Sequence, residues 1–563
     1  MSELLLIIFM KIIAVIWTKR HTSIKIPPFF LKNHFMRKIL RHAVFFASFI
    51  LLISTAGRTQ IINYITLDHN NVSCILSDEG GFFSDLAIGN AGYEVPKGGG
   101  LGTIFGGSFL ISAQDPMGQV YFSGAHTSAP SNQHEIHSGP IADPFFYGSN
   151  SYSSAYQNAL WKVSSEEIDF HQQNYLNPGY TVPNALLKWP GNGDATMGVA
   201  QQLAPYIDLN QNGIYEPILG DYPDIRGDEA VYIIMNDESY MPDGNQLRIE
   251  LHAMFYQFST GNYLNNTTFM NLRVINRSNI NYMNYLQSIF MDFDLGNYSD
   301  DQMGCSPEKN LLFAYNGDDD DELNVGEGYG ANPPCQGLVS LSHPLKCGVV
   351  LNTGQDYFAN GDYSYWLLQN SQWTDTTPWV NPLTNQVADF TLPDNPNDPN
   401  GWSEEALNDP PGDRRGMITI YEPSFRPGTA ICSDYAFLYS RVGSRLQNVQ
   451  DVWNIATSIQ ALYNSSEQFI CQGSSSVGLP NIKSQEKGLR ISPNPASEML
   501  TIESQFQTPY DLAIYNAMGQ VVLQKNMHGL SHETITLDAL SKGYYLIQAS
   551  NGQELFSEKL VVE

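Results

Sequence analysis

Apolar and polar residues alternate in short runs along this chain, and a helical spacing is scarce. Leu500-Thr501-Ile502-Glu503 and Thr534-Ile535-Thr536-Leu537 alternate strictly. Such a period of two puts one face of a strand in a core and the other in water. Asp511-Leu512-Ala513-Ile514 is more continuously apolar and reads as a buried strand. Asn494-Pro495, Ala517-Met518-Gly519-Gln520 and Asn551-Gly552 punctuate these runs with turn chemistry. Further upstream, Trp161-Lys162-Val163 begins a short strand, and Leu247 to His252 alternates. Thr268 to Val274 alternates with one break at Phe269-Met270, and Ser288 to Leu295 ends a strand in Asp292-Phe293-Asp294. The best helical segment is Asp451 to Tyr463. The expected fold is all-β: a β-sandwich-rich body with long loops, followed by a small C-terminal immunoglobulin-like antiparallel β-sandwich.

The end regions carry different signals. Met36-Arg37-Lys38-Ile39-Leu40-Arg41 is a basic segment, Ala43 to Ile53 an apolar one, and Ser54-Thr55-Ala56 offers small residues for cleavage. Residues 36–59 thus read as a Sec signal peptide, too short in its apolar run to span a bilayer comfortably. Residues 1–35 hold another apolar run, Leu4 to Trp17, interrupted by Lys11. They read as translated upstream sequence, with a membrane anchor as the alternative. No later stretch is apolar for long enough to cross a membrane.

The tail motifs SPNPASEMLTI, DLAIYNAMGQVVL, ITLDALSKGYYLI and KLVVE follow one another between Leu489 and Glu563. In that order they resemble the type A sorting domain of the type IX (Por) secretion system. The resemblance implies a sorting motif at Pro493, Asn494, Pro495, Gly519, Gly543, Tyr545 and Lys559. It also implies the secretion machinery as partner and an outer cell surface or extracellular destination. Residues 60–472 then become the cargo, 473–488 a linker, and 489–563 a sorting domain removed by cleavage at the linker. The segment LLKWPGNGDATMGVAQQLAPYIDLNQNGIYEPILGDYPDIRGDEAVYIIMND resembles a group of large secreted proteins of unknown function. FMNLRVINRSN, SIFMDFDLGNYSDDQMGC, LLFAYNGDDDDE, GYGANPPCQGL and PPGDRRGMITI extend that likeness over residues 70–445. It brings organisation without chemistry.

Residues 1–60 hold nine of the 29 basic residues and one of the 57 acidic ones, so the rest has 20 against 56, a formal charge of −36. Such a surface repels nucleic acid and anionic lipid and favours divalent cations. Beyond residue 60 stand six cysteines: Cys74, Cys305, Cys335, Cys347, Cys432 and Cys471. An exported chain can pair them, and no CxxC points to zinc. A bridge within Cys305, Cys335 and Cys347 is preferred, with Cys432–Cys471 second.

Asp208-Leu209-Asn210-Gln211-Asn212-Gly213-Ile214 is the best site candidate. Calcium takes six to eight oxygens, which alternate positions of a tight loop can supply. Asp208, Asn210, Asn212 and the Ile214 carbonyl would contribute. An EF-hand needs an acidic residue at its twelfth position, where this chain has Leu219, so Glu216 or Asp221 must close the shell. An Asx-rich turn without metal is the alternative. Asp292, Asp294, Asp300 and Asp301 form a second acidic cluster, and Asp318 to Glu322 a third, suited to calcium or solvent.

Two function classes stay open. The first is a non-enzymatic adhesin, matrix component or glycan binder with structural calcium. The second is a secreted hydrolase of polysaccharide or protein using an Asp/Glu pair. His134-Glu135-Ile136-His137 has the wrong spacing for a zinc protease, and no GxSxG elbow occurs. Arg414-Arg415 either holds a carboxylate or glycan or braces acidic loops. Trp366, Trp373, Trp379 and Trp402 either stack on sugars or are buried.

Overall fold

The computed structural model describes residues 63–563 apart from 86–89, 125–135, 148, 157, 239–245, 323–327, 353–362, 467–488 and, in the tail, 505, 507, 517–520, 531, 538–539, 552–554 and 563. The signal peptide, the linker, Gly519 and Cys471 therefore lie outside the described residues.

Two nine-stranded antiparallel sheets build the body. In the first, the main path runs Tyr64–Leu67, Ser73–Ser77, Gly81–Phe82, Gly102–Gln114, Tyr282–Phe293, Arg414–Phe425, Cys347–Asn352. In the second it runs Leu160–Ser164, Glu229–Asn236, Ile249–Gln257, Thr268–Asn276, Ala430–Ser440, Cys335–Ser340, Leu311–Asn316, Asp301–Ser306. One core fills the space between them. Phe109, Ile289 and Ile418 from the first sheet pack in a single cluster with Val231, Phe255, Leu272 and Phe437 from the second. Phe82, Phe83, Phe255 and Phe437 meet edge-on or tilted, with centroids 4.7–6.0 Å apart, favourable ring geometries.

Each sheet is also covered on its other face. The helix Arg445–Ser465 lays Val449, Val452, Ile455 and Ile459 on the second sheet, against Leu311, Phe313 and Leu438. It starts with a capping box: Ser444 and Gln447 satisfy each other's backbone amides. Tyr147, Tyr152, Ile168, Leu186 and Trp189 belong to the same cluster. Tyr365, Leu368 and Trp379 cover the first sheet at Leu110, Phe290 and Met417. Coverage of both faces explains why Ile249–Gln257 is buried at every position. Leu251, Ala253 and Phe255 face one core, and Met254 and Tyr256 the other. The alternation expected there is real in side-chain direction but does not separate core from water.

The tail is a second, smaller sandwich with its own core. Leu489–Ser492, Met499–Ser504 and His532–Thr536 form one sheet. Val521–Met527, Tyr510–Tyr515, Gly543–Ser550 and Leu555–Val562 form the other. Leu500, Ile502, Leu512, Ile514, Ile535, Ile547 and Leu560 fill the space between. The expected burial of both faces at Asp511–Ile514 is not found: Asp511 is exposed, and only Leu512 and Ile514 go inward.

The preferred disulfide is also not formed. Cys305, Cys335 and Cys347 are buried free thiols, as is Cys74. They lie within strands facing tightly packed neighbours, where a thiol serves as a small apolar side chain.

Candidate functional site

The Asp208 loop is a tightly wired turn. Gly213 takes a positive φ of 79° and Gln211 one of 59°. Asp208 accepts the amides of Gln211 and Gly213, at 2.7 Å each. Asn210 Oδ1 accepts the Asn212 amide and Asn212 Oδ1 the Ile214 amide. Both asparagine side chains turn toward Glu216, whose Oε2 accepts from Asn212 Nδ2 at 2.5 Å and Asn210 Nδ2 at 3.4 Å. Asp208, Asn210, Asn212 and Glu216 are thus linked by hydrogen bonds within one turn. Asp221 does a different job: it is fully buried, and its two oxygens accept the amides of Leu209 and Glu216 across the loop's base. It ties the loop shut from below. A histidine missed in the sequence, His171, is wholly buried behind it, with Nδ1 3.0 Å from Tyr180 Oη.

The second acidic cluster divides. Asp292 is the last residue but one of the strand Tyr282–Phe293 and stands directly opposite Arg415 on the neighbouring strand. Arg415 Nε donates to Asp292 Oδ2 at 3.1 Å, and its Nη2 lies 3.3 Å from Asp413 Oδ2. Asp292, Asp294 and Asp413 each offer an oxygen, all within 4.8 Å of one another. Burial, opposed by Arg415, pushes the Asp292 carboxyl up to about 6. Burial, then the charges of Asp292 and Asp413, push Asp294 up to about 8. Asp413 was missed from sequence, although it stands beside the arginines in GDRRG.

Asp300 lies with Asp321 and Glu322 of the third run, and Asp301 feels both Asp294 and Asp321. Asp301 is fully buried, accepts the Leu295 amide and is raised well above the usual carboxylate range by burial. Asp321, also buried, accepts the amides of Asn297 and Tyr329. Asp319 accepts the Arg445 amide at 2.8 Å, in the first turn of the long helix. Within this acidic run Asp321 is built into the fold, while Asp318, Asp319 and Asp320 are exposed to solvent. Both arginines of GDRRG are braces: Arg414 pairs with Glu404 at 2.9 Å, beside the Arg415 pairs. Trp379 and Trp402 are buried, and Trp366 and Trp373 half-buried, which removes an exposed stacking platform there.

A buried polar chain also escaped the sequence reading. Tyr232 Oη lies 2.7 Å from His252 Nδ1, and His252 Nε2 lies 2.9 Å from Glu250 Oε1. Glu250 also accepts from Arg277 at 2.7 Å and from the Ile141 amide at 2.8 Å. Burial lowers the His252 pKa, against the pull of the Glu250 carboxylate. The available signal was two polar residues in the otherwise apolar run IELHAMF. Arg277 and Arg248 line a pocket of about 440 Å³ with Ile141, Pro144 and Gly198. Arg248 pairs with Glu238 there and holds a strained φ of 56°.

In the tail, Asn494 explains its motif. Its Nδ2 donates to the Lys559 carbonyl at 2.7 Å and its Oδ1 accepts the Val561 amide at 2.8 Å. Tyr545 Oη donates to the Ser541 carbonyl, close to Gly543. The Pro493-Asn494-Pro495 turn is thereby fastened to the last strand.

Together these features define an all-β protein with a terminal sandwich separate in its core from the body. Residues 490–563 match the model of the secretion system C-terminal sorting domain, so the chain carries a type IX secretion sorting domain, which directs export to the cell surface or the extracellular space. No curated protein matches the chain. Among solved structures, a polysaccharide lyase is 8% identical with a TM-score of 0.16, over 56% of this chain and 34% of that one. Dimeric latent PorU from Porphyromonas gingivalis is 9% identical with a TM-score of 0.13, over 59% and 31%. The chain spans about a third of the length of either, and likenesses this slight bear on neither fold nor function. Among the described residues no helix is long and apolar enough to cross a membrane.

Proposed function

We propose that residues 60–472 are the working body of a non-enzymatic secreted or cell-surface protein, an adhesin, matrix component or glycan binder with loops held by structural calcium. The carrying observation is the Asp208 loop. Asp208, Asn210, Asn212 and Glu216 share one tight turn with a left-handed Gly213, and Asp221 accepts the amides of Leu209 and Glu216. Calcium there would take Asp208, Asn210, Asn212, Glu216 and the Ile214 carbonyl, with the asparagine amides turned to present oxygen. Asp221 would hold the loop rather than the ion. Chelation of the purified protein should lower Tm by several degrees, and added calcium should restore it. An unchanged Tm under both treatments removes this reading. The glycan-binding variant finds support in the pocket of Arg248 and Arg277, since a guanidinium has five donors and each spends few on its glutamate. An Arg248→Ala protein that keeps the wild-type glycan-array profile would exclude that pocket.

A hydrolase is the second reading, favoured by the pKa split between Asp292, at about 6, and Asp294, at about 8. Two carboxyls in different protonation states at neutral pH suit acid and base roles. Screening of polysaccharide and protein substrates tests it, with Asp294→Asn as control. Turnover abolished in that variant would overturn the non-enzymatic reading.

A further inference from the structure

We propose that Asp292, Asp294 and Asp413, held by Arg415, form a second calcium site, separate from the Asp208 loop. Three observations converge. The first is spacing: oxygens within 4.8 Å of one another are near enough to share one ion after a shift of a few tenths of an ångström, calcium taking oxygens at about 2.3–2.6 Å. The second is an unsatisfied atom. Asp292 is 3% exposed, its Oδ2 is occupied by Arg415, and its Oδ1 is buried without a hydrogen-bond partner. A buried carboxylate oxygen left bare costs more than a kilocalorie or so unless something positive meets it. The neighbouring strand on the side away from Arg415 presents Gly106, which has no side chain, directly opposite Asp292.

The third observation is the role of Arg415. It reaches the Oδ2 atoms of both Asp292 and Asp413, fixing two carboxylates from two different segments before any ion arrives. Once all three carboxyls are ionised, as an arriving cation favours by displacing the proton of Asp294, Arg415 offsets one of three negative charges and leaves a net −2 that a divalent cation matches. The donors are all carboxylate oxygens, which select a hard cation over zinc or copper. Magnesium keeps most of its waters and takes one or two carboxylates, whereas calcium accepts a larger and less regular set. An extracellular destination supplies calcium at concentrations that weak sites of this kind can use. The ion would join the end of Tyr282–Phe293 to the segment leading into Arg414–Phe425. This extends the calcium reading to another part of the body and does not need the Asp208 loop to bind.

Calorimetric titration of the EDTA-stripped full chain with calcium chloride tests the proposal. Wild type should show two classes of binding event. Asp294→Asn/Asp413→Asn should lose one of them, and Asp208→Asn the other. A double variant that titrates like wild type overturns the proposal. An Asp208→Asn variant that still shows both events sinks the Asp208 reading and leaves this one standing. Saturation by magnesium with no response to calcium also overturns it. Should the double variant fail to fold by circular dichroism, crystals of unmodified protein soaked in terbium decide. An anomalous peak among the three carboxylates supports the site, and a map featureless there rejects it.

Discussion

Two antiparallel sandwiches stand in this chain, and their strands relate differently to water. In the tail, Met499–Ser504 buries Leu500 and Ile502 while Met499 is exposed and Thr501 and Glu503 are partly so. In the body, Ile249–Gln257 buries all nine residues, because a helix and long connections pack on the sheet face that does not meet the other sheet. A two-layer sandwich writes its fold into the sequence as alternation. A body with covered outer faces writes it as a near-continuous apolar run, and polar residues placed in that run must then be satisfied internally.

The largest expected effects test this contrast directly. Phe255→Ala and Tyr256→Ala, on opposite faces of one strand, should each cost about 3–5 kcal/mol in urea unfolding. In the tail, Ile502→Ala should cost about 2–4 kcal/mol, whereas Thr501→Ala should stay within about 0.5 kcal/mol. A mild Tyr256→Ala would show that the outer cover of the body contributes little.

Glu250 gives the next largest. Burial alone would raise its carboxyl, but His252 and Arg277 overcome burial and hold it at about 2, against an ordinary 4.5. A folded pKa below the unfolded one stabilises above about 4.5, and that stability is lost as pH falls toward 2. The effect is on the order of 3 kcal/mol. Tyr147 and Tyr152 also face this carboxylate, and they stay neutral throughout the window. Glu250→Gln should therefore flatten the acid limb of the stability–pH curve between pH 5 and 2. An acid limb unchanged in the variant would assign that loss to other carboxylates.

Smaller effects belong to single ties. Asn494→Ala should cost about 1 kcal/mol in the tail by removing the bonds to Lys559 and Val561. A change confined to the tail's transition would sharpen its independence from the body. Asp319→Ala should cost about 0.5–1 kcal/mol by uncapping the Arg445 amide. If it costs nothing, the exposed bond from the Arg445 amide to Asp319 adds no stability to the helix start.

Alternation made the tail's strands legible at Leu500, Ile502 and Ile535, and the motif order made its role legible. The Asp451–Tyr463 helix was readable in part, though its start at Arg445 depends on Ser444 and Gln447 capping each other. The Asp208 loop was legible because its ligand types sit at alternate positions of one short segment. Asp221's role was not, since closing a shell and bracing a loop from beneath use the same carboxylate at the same spacing.

Sequence by itself determined the β class, the export tail and the local turn at Gly213, all of which follow from neighbours within a few residues. Tertiary structure decided which carboxylates meet. Asp292 lies 121 positions before Asp413, and only the pairing of Tyr282–Phe293 with Arg414–Phe425 sets Asp292 opposite Arg415. It likewise left Cys305, Cys335 and Cys347 as separate thiols and put Asp300 with Asp321 and Glu322 rather than with Asp292. Strand register brings distant residues together, and register is set by how whole sheets bury their faces, which no local pattern contains.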